Sequence, residues 1–140
     1  EEFVGCVLDG DTFEIGSCGG ESVRLLGIQA PEIAHNASET EECYGNESAA
    51  AAQSLLLGKT VRLEFDDECS DMYGRTLAYA WLDVGVIDDI TDDRFLNRDL
   101  ILGGYARVYE DFDDINLAPL LYTAEYAAEE AGVGLWGACG

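Results

Sequence analysis

Turn signals crowd the first third of this chain and restrict it to short strands. Residues 3–8 are an apolar-rich run ending at Asp9-Gly10, and residues 12–15 restart the alternation. Residues 17–20 form a second turn, and residues 23–28 are a third run closed by Pro31. Asp-Gly between apolar runs is a strong hairpin signal. Three short strands joined by tight turns predict a meander that can curl into a barrel.

The remainder alternates between helix and strand. Residues 33–42 are polar and unpatterned, which predicts a loop. Asn46 and its neighbours can cap a helix, Glu47 suits the positive end of its dipole, and residues 49–57 are rich in helix formers stopped by Gly58. Strands are predicted at 60–65 and 75–82, separated by an acidic turn at 66–73. Residues 85–94 read as a loop. Short and longer helices are predicted at 95–102 and 119–131, the second carrying a mixed apolar stripe and ended by Gly132 and Gly134. The expected fold class is α+β, mainly β: an OB-fold five-stranded β-barrel with about three α-helices. We expect residues 1–140 to form one domain, because no repeat or low-complexity linker divides them.

A chain of 140 residues, 48% hydrophobic and 10% aromatic, can bury a real core. Its charge is less ordinary. Twenty-nine acids face seven bases for a net charge of −22, and only Lys59 among the bases is a lysine. Such a surface repels nucleic acid, itself a polyanion. The alternatives are a simple solvated surface and an adaptation to salt, which screens self-repulsion of this size. Five cysteines in a short chain predict disulfides and an oxidising, extracellular setting. No CxxC pair or histidine cluster forms a zinc motif, and the sole histidine, His35, falls in the polar loop. No apolar run is long enough to span a membrane, so no membrane contact is expected.

Two arginines stand out by context. Arg24 lies in Val23-Arg24-Leu25-Leu26, and Arg75 lies between Tyr73-Gly74 and Thr76-Leu77-Ala78-Tyr79. Both occupy strand positions among apolar neighbours, where a guanidinium needs an anionic partner. Its planar fork matches phosphate, although an ion pair with one of the many acids would satisfy it too. Asp9 and Asp11 flank the first turn, and Glu32 follows Pro31, whose fixed φ would aim it reproducibly. If the strand ends meet, Asp11, Glu32 and main-chain carbonyls can form an oxygen site for calcium. A carboxylate, a metal ion and two arginines are the parts that phosphodiester hydrolysis requires.

These segments resemble the staphylococcal nuclease family. The resemblance runs through Asp9-Gly10-Asp11-Thr12, Val23-Arg24-Leu25-Leu26-Gly27-Ile28, Ala30-Pro31-Glu32 and Asp71-Met72-Tyr73-Gly74-Arg75-Thr76-Leu77-Ala78-Tyr79. It continues through Leu96-Asn97, Leu100-Ile101, Gly104-Tyr105-Ala106 and Gly134-Leu135-Trp136, so that it covers nearly the whole chain in order. It implies a calcium-dependent nuclease acting on DNA and RNA with 3′-phosphate products. It also implies that Arg24 and Arg75 clamp the reacting phosphate, that Glu32 activates or positions the attacking water, and that Asp11 binds calcium, with Gln29, Ala30 and Glu32 completing the metal site. Tyr73 resembles a tyrosine lining the nucleotide pocket, and Tyr109 lies near a second such position.

Two positions depart from the family. Gln29 stands where a second calcium-binding aspartate is common, offering a neutral oxygen without charge. Calcium affinity follows ligand charge, which predicts weaker binding unless water or another acid fills in. Met72 replaces a lysine and removes one attraction for substrate. Residues 86–93 resemble an acidic insertion in a surface turn. Cys43 and Cys69 both flank the expected site, which predicts a bridge between two loops; Cys6 and Cys18, on neighbouring strands, predict a second. The resulting expectation is a secreted, monomeric, salt-adapted nuclease. The alternatives are a nuclease-like module that binds without cleaving, favoured by Gln29 and the charge, and an acidic calcium-buffering protein, favoured by acid count alone.

Overall fold

A computed structural model describes residues 1–34, 40–82, 86–87, 90–91, 94–109 and 115–139. His35 lies outside them, as does part of the expected acidic insertion. The meander is present as β1 (Glu2–Val7), β2 (Thr12–Ile15) and β3 (Ser22–Leu25). A two-residue strand β4 (Ile28–Gln29) follows, then helix α1 (Gly45–Leu56), β5 (Thr60–Glu64) and β6 (Thr76–Leu82). Next come β7 (Val86–Ile87), β8 (Ile90–Thr91), β9 (Arg94–Phe95) and α2 (Leu96–Leu102). The chain continues through β10 (Arg107–Val108), α3 (Ala118–Ala131) and α4 (Leu135–Ala138).

β3, β2, β1, β5 and β6 are hydrogen-bonded in that order, and β3 returns to β6 to close a five-stranded barrel. The closure is parallel, with Arg24 level with Leu77, whereas the other barrel pairings are antiparallel. The first part of β6 meets β3 and its last residues meet β9, through Trp81 and Phe95. Alternation fills the interior: Val4, Phe13, Val23, Leu25, Val61, Leu77 and Tyr79 are buried with Leu56, Leu100, Ile101 and Leu121 from the helices. Asn97 locks α2 to the barrel. Its side-chain oxygen accepts the Ala80 N–H at 2.9 Å and its amide donates to the Leu26 carbonyl at 2.8 Å. Both backbone groups are buried and would otherwise be unsatisfied.

The architecture agrees with the expected OB-type barrel, and the three longer helices lie near their expected positions. A one-turn fourth helix, α4, was not anticipated. Within 85–94, where a loop was expected, β7 and β8 pair antiparallel, Val86 with Thr91 and Ile87 with Ile90. Those four residues are β-branched and favour extended backbone, a preference that the neighbouring acids obscured.

The disulfides correct one expectation. Cys6–Cys18 is present as predicted, but the Cys43–Cys69 bridge is not: Cys43 pairs with Cys139, with Cα atoms 5.9 Å apart, and Cys69 is free and exposed. The reason is where the C-terminal segment lies. The Ser48 hydroxyl donates to the Tyr105 carbonyl at 2.6 Å, and the Leu135 N–H donates to the Gly104 carbonyl at 2.8 Å. These bonds bring the starts of α1 and α4 against the same loop, and α4 is short enough that Cys139 at its end still reaches Cys43. The bridges close loops with sequence separations of 96 and 12 residues. Chain entropy then predicts that Cys43→Ser/Cys139→Ser loses about 4–5 kcal/mol and Cys6→Ser/Cys18→Ser about 3 kcal/mol. Urea unfolding of the two double variants measures this. A larger loss from the short loop would contradict the assignment of Cys43–Cys139 as the principal covalent tie.

Candidate active site

Asp11 lies at the turn into β2, buried to 3% exposure. One carboxylate oxygen accepts the Thr12 hydroxyl at 2.9 Å, and the other accepts the Ala30 N–H at 2.8 Å. The first turn is thereby fastened to the segment that leads into Pro31 and Glu32. Gly10 permits this approach, since a Cβ there would sit 2.5 Å from the Ala30 Cβ. Asp9 joins from the same turn and accepts the Asp11 N–H at 3.0 Å.

Arg24 projects from β3 into this corner and is only 6% exposed. It lies 3.7 Å from the Asp11 carboxylate and donates to the Leu25 carbonyl at 2.9 Å and to the Gln29 side-chain oxygen at 2.8 Å. Tyr109 covers its face at 5.7 Å. Gln29, predicted as a metal ligand, is thus engaged with Arg24. Its amide oxygen keeps a second lone pair.

Arg75 enters β6 beside β3. It is half-exposed and held by Asp71: the Arg75 Nε donates to one carboxylate oxygen at 2.8 Å and its main-chain N–H to the other at 2.9 Å. Partial burial pushes the Asp71 carboxyl up, but its bonds from Arg75 and the Tyr73 N–H outweigh this and hold it below its ordinary value. The Arg75 guanidinium sits 5.5 Å from the Tyr73 ring, and Tyr73 is 77% exposed. Each arginine therefore carries one of the two tyrosines singled out from the sequence.

Glu32 is exposed, with both main-chain polar groups bonded to Glu42. Its charge reaches Asp9. Burial, then the neighbouring Asp11 and Glu32 charges, push the Asp9 carboxyl up to about 7. The Asp9 and Asp11 carboxylates, with no sulfur or imidazole supplied by the described residues here, are of the chemistry that suits a hard divalent cation such as calcium, although among the described residues no three acids of this corner bring ligand oxygens within 4.8 Å of one another. To such an ion Asp11 and Glu32 would offer charge, and Ala30 a main-chain carbonyl. A cleft of about 270 Å³ opens alongside, lined by Pro31, Glu42, Arg107 and the Cys43–Cys139 bridge. Gln29 and Ala30 reach it, but neither Arg24 nor Arg75 does, so the cleft lies beside those two arginines rather than around them.

Three contributors were not selected from the sequence: Asp9 in the carboxylate cluster, Asp71 holding Arg75, and Glu42 holding Glu32. The repeated acids of Asp9-Gly10-Asp11 were a signal for the first. Asp71 belonged to the quoted motif without a role. Glu42 had no local signal.

The unfolded Asp9 carboxyl titrates near 3.8 and the folded one near 7. Between those values the folded state binds the extra proton, so stability without metal falls as pH rises across that window. Asp9→Asn should remove this share of the slope. Urea midpoints in chelator from pH 4 to 7 measure it, and equal slopes in the two proteins would contradict the crowding.

The sequence model of the family described as staphylococcal nuclease homologue matches residues 22–138. Among curated proteins, a thermonuclease from Staphylococcus intermedius is 34% identical over 133 residues, covering 93% of this chain and 72% of the relative. A second thermonuclease, from Staphylococcus hyicus, is 38% identical over 77 residues, 54% of this chain and 45% of its own. An uncharacterized endonuclease from Escherichia coli O157:H7 is 32% identical over 131 residues, 93% of this chain and 72% of its own. Together with the closed barrel, these matches show that the chain belongs to the staphylococcal nuclease family.

Proposed function

We propose that this chain is a secreted calcium-dependent nuclease that hydrolyses phosphodiester bonds of DNA and RNA, leaves 3′-phosphates and works in high salt. The observation that carries the reading is one corner holding a buried arginine, Arg24, within 3.7 Å of Asp11, beside Asp9 and Glu32. In a chain with 29 acids and seven bases, a nearly buried arginine beside this corner is the feature best suited to meet a phosphate.

The chemistry follows from these groups. Glu32 accepts a proton from the attacking water as its oxygen bonds to phosphorus. The bond to the 5′-oxygen breaks, that oxygen takes up a proton from solvent water, Glu32 returns its proton to solvent, and the phosphate stays on the 3′ side. Arg24 and Arg75 donate to the phosphoryl oxygens, where charge grows in the transition state. Tyr73 and Tyr109 flank the two guanidiniums and supply faces for the nucleotide. Asp11, Glu32 and the Ala30 carbonyl, with Gln29 as a neutral contributor, would hold calcium, which when bound would supply charge neutralisation.

Secretion is supported by two disulfides, which persist in oxidising compartments. No helix among the described residues is long and apolar enough to cross a membrane. The net charge of −22 supports salt adaptation, because counterions relieve both self-repulsion and the repulsion of substrate. A second reading, a module that binds nucleic acid with weakened catalysis, is favoured by Gln29 at the position of a family acid.

Digestion of plasmid and single-stranded DNA at low and molar salt separates these readings. The nuclease should cleave with calcium, stop with chelator and work better in molar salt. Arg75→Ala should fall roughly several hundredfold, and Glu32→Gln at least as far, with both variants folded. No cleavage by the folded wild type under any condition would favour the binding module, and unchanged turnover in Arg75→Ala would remove its assigned role.

A further inference from the structure

Glu32 sits in a stretch without regular secondary structure, yet a water-activating carboxylate must be held closely. Upstream it is fixed by Pro31 and by the Asp11 bond to Ala30. Downstream, one residue holds both of its main-chain groups. The Glu32 N–H donates to the Glu42 carboxylate at 2.7 Å, and the Glu42 N–H donates back to the Glu32 carbonyl at 2.9 Å. We propose that Glu42 is a positioning residue that sets the aim of Glu32, anchored to the barrel through Cys43–Cys139 and the start of α1. The proposal rests on the assignment of Glu32 to the hydrolytic step.

Three further observations show that this clasp is built rather than incidental. Gly45 lies against the Glu32 carbonyl so closely that a Cβ would be 2.5 Å from its oxygen. Its N–H donates to the Glu42 carbonyl at 2.9 Å. Tyr44, between them, is the one non-glycine among the described residues with positive φ, at 72°. That conformation is uncommon for a bulky side chain and persists only where the surroundings impose it. Here they are the Cys43–Cys139 bridge and the Tyr105 ring, stacked on Tyr44 at 6.0 Å. The strain therefore sits in the two-residue span that joins the clasp to its anchor. A carboxylate accepting a main-chain N–H also makes a stronger bond than a neutral acceptor does.

The test compares Glu42→Ala, Glu42→Gln and Glu42→Asp with wild type and Glu32→Gln, measuring kcat and KM on single-stranded DNA. Exchange of the Glu32 amide hydrogen, followed by NMR, supplies a readout independent of turnover. Misplacing a catalytic group by about 1 Å costs roughly a hundredfold. Glu42→Ala should lower kcat roughly 10- to 100-fold with KM within about twofold, and the Glu32 amide should exchange faster. Glu42→Gln keeps an acceptor oxygen at the same reach and should stay within about threefold of wild type, which separates aim from charge. If Glu42→Ala does not fold, Glu42→Asp, one methylene shorter, should show the same kcat loss and faster exchange. A folded Glu42→Ala (or Glu42→Asp in its place) with wild-type kcat, an unchanged Glu32 amide, or a Glu42→Gln as impaired as Glu42→Ala would each overturn the proposal. An inactive wild type would instead remove the nuclease reading itself.

Discussion

The bond from the Ala30 N–H to the buried Asp11 carboxylate joins two stretches that the barrel alone would leave apart. Asp11 stands at the beginning of β2, and Ala30 follows β4, after the chain has passed through β3. With that bond made, Arg24 on the intervening strand is enclosed beside Asp11, and Pro31 delivers Glu32 next to the same carboxylates. The approach depends on Gly10, and the geometry depends on a barrel closed by parallel pairing of β3 with β6, which brings Arg75 in from the adjacent strand. Main-chain closure thus sets the positions of the carboxylates and guanidiniums on which the proposed chemistry rests.

Charge produces two opposite requirements in this molecule. The net charge is −22, and the proposed substrate is a polyanion. The resolution is local: the arginines are kept among hydrogen bonds and under tyrosine rings, where solvent and distant acids weigh less than near neighbours. Asp71 satisfies Arg75 without fully burying it, and Gln29 occupies Arg24 with a neutral oxygen. A neutral partner leaves the Arg24 charge more available to phosphate than a carboxylate would.

Much of the barrel was legible because its signals are local. Asp9-Gly10, the alternation through residues 12–15 and the glycines after each helix act over a few residues. Arg24, Glu32, Arg75 and Asp11 were legible because they recur in a resembling order. What escaped depends on distant partners. Cys43 finds Cys139 across 96 residues, Asn97 bonds Leu26 and Ala80, and Glu42 meets Glu32 ten residues back. None of these residues differs in its immediate neighbourhood from many that do nothing comparable. The β7–β8 hairpin was missed for another reason: surrounding acids outweighed four β-branched residues in the reading.

The central claim is that Asp11 organises a cation and phosphate centre with Arg24. Its most direct test is calorimetric titration of calcium into the folded protein with an uncleavable phosphorothioate oligonucleotide, for wild type and for Asp11→Asn. The account predicts one calcium per wild-type chain, bound more tightly when the oligonucleotide is present. It predicts binding at least roughly tenfold weaker in Asp11→Asn, in line with the loss of a charged ligand. Equal calcium affinity in the two proteins, or a wild type whose calcium affinity ignores the oligonucleotide, would contradict it.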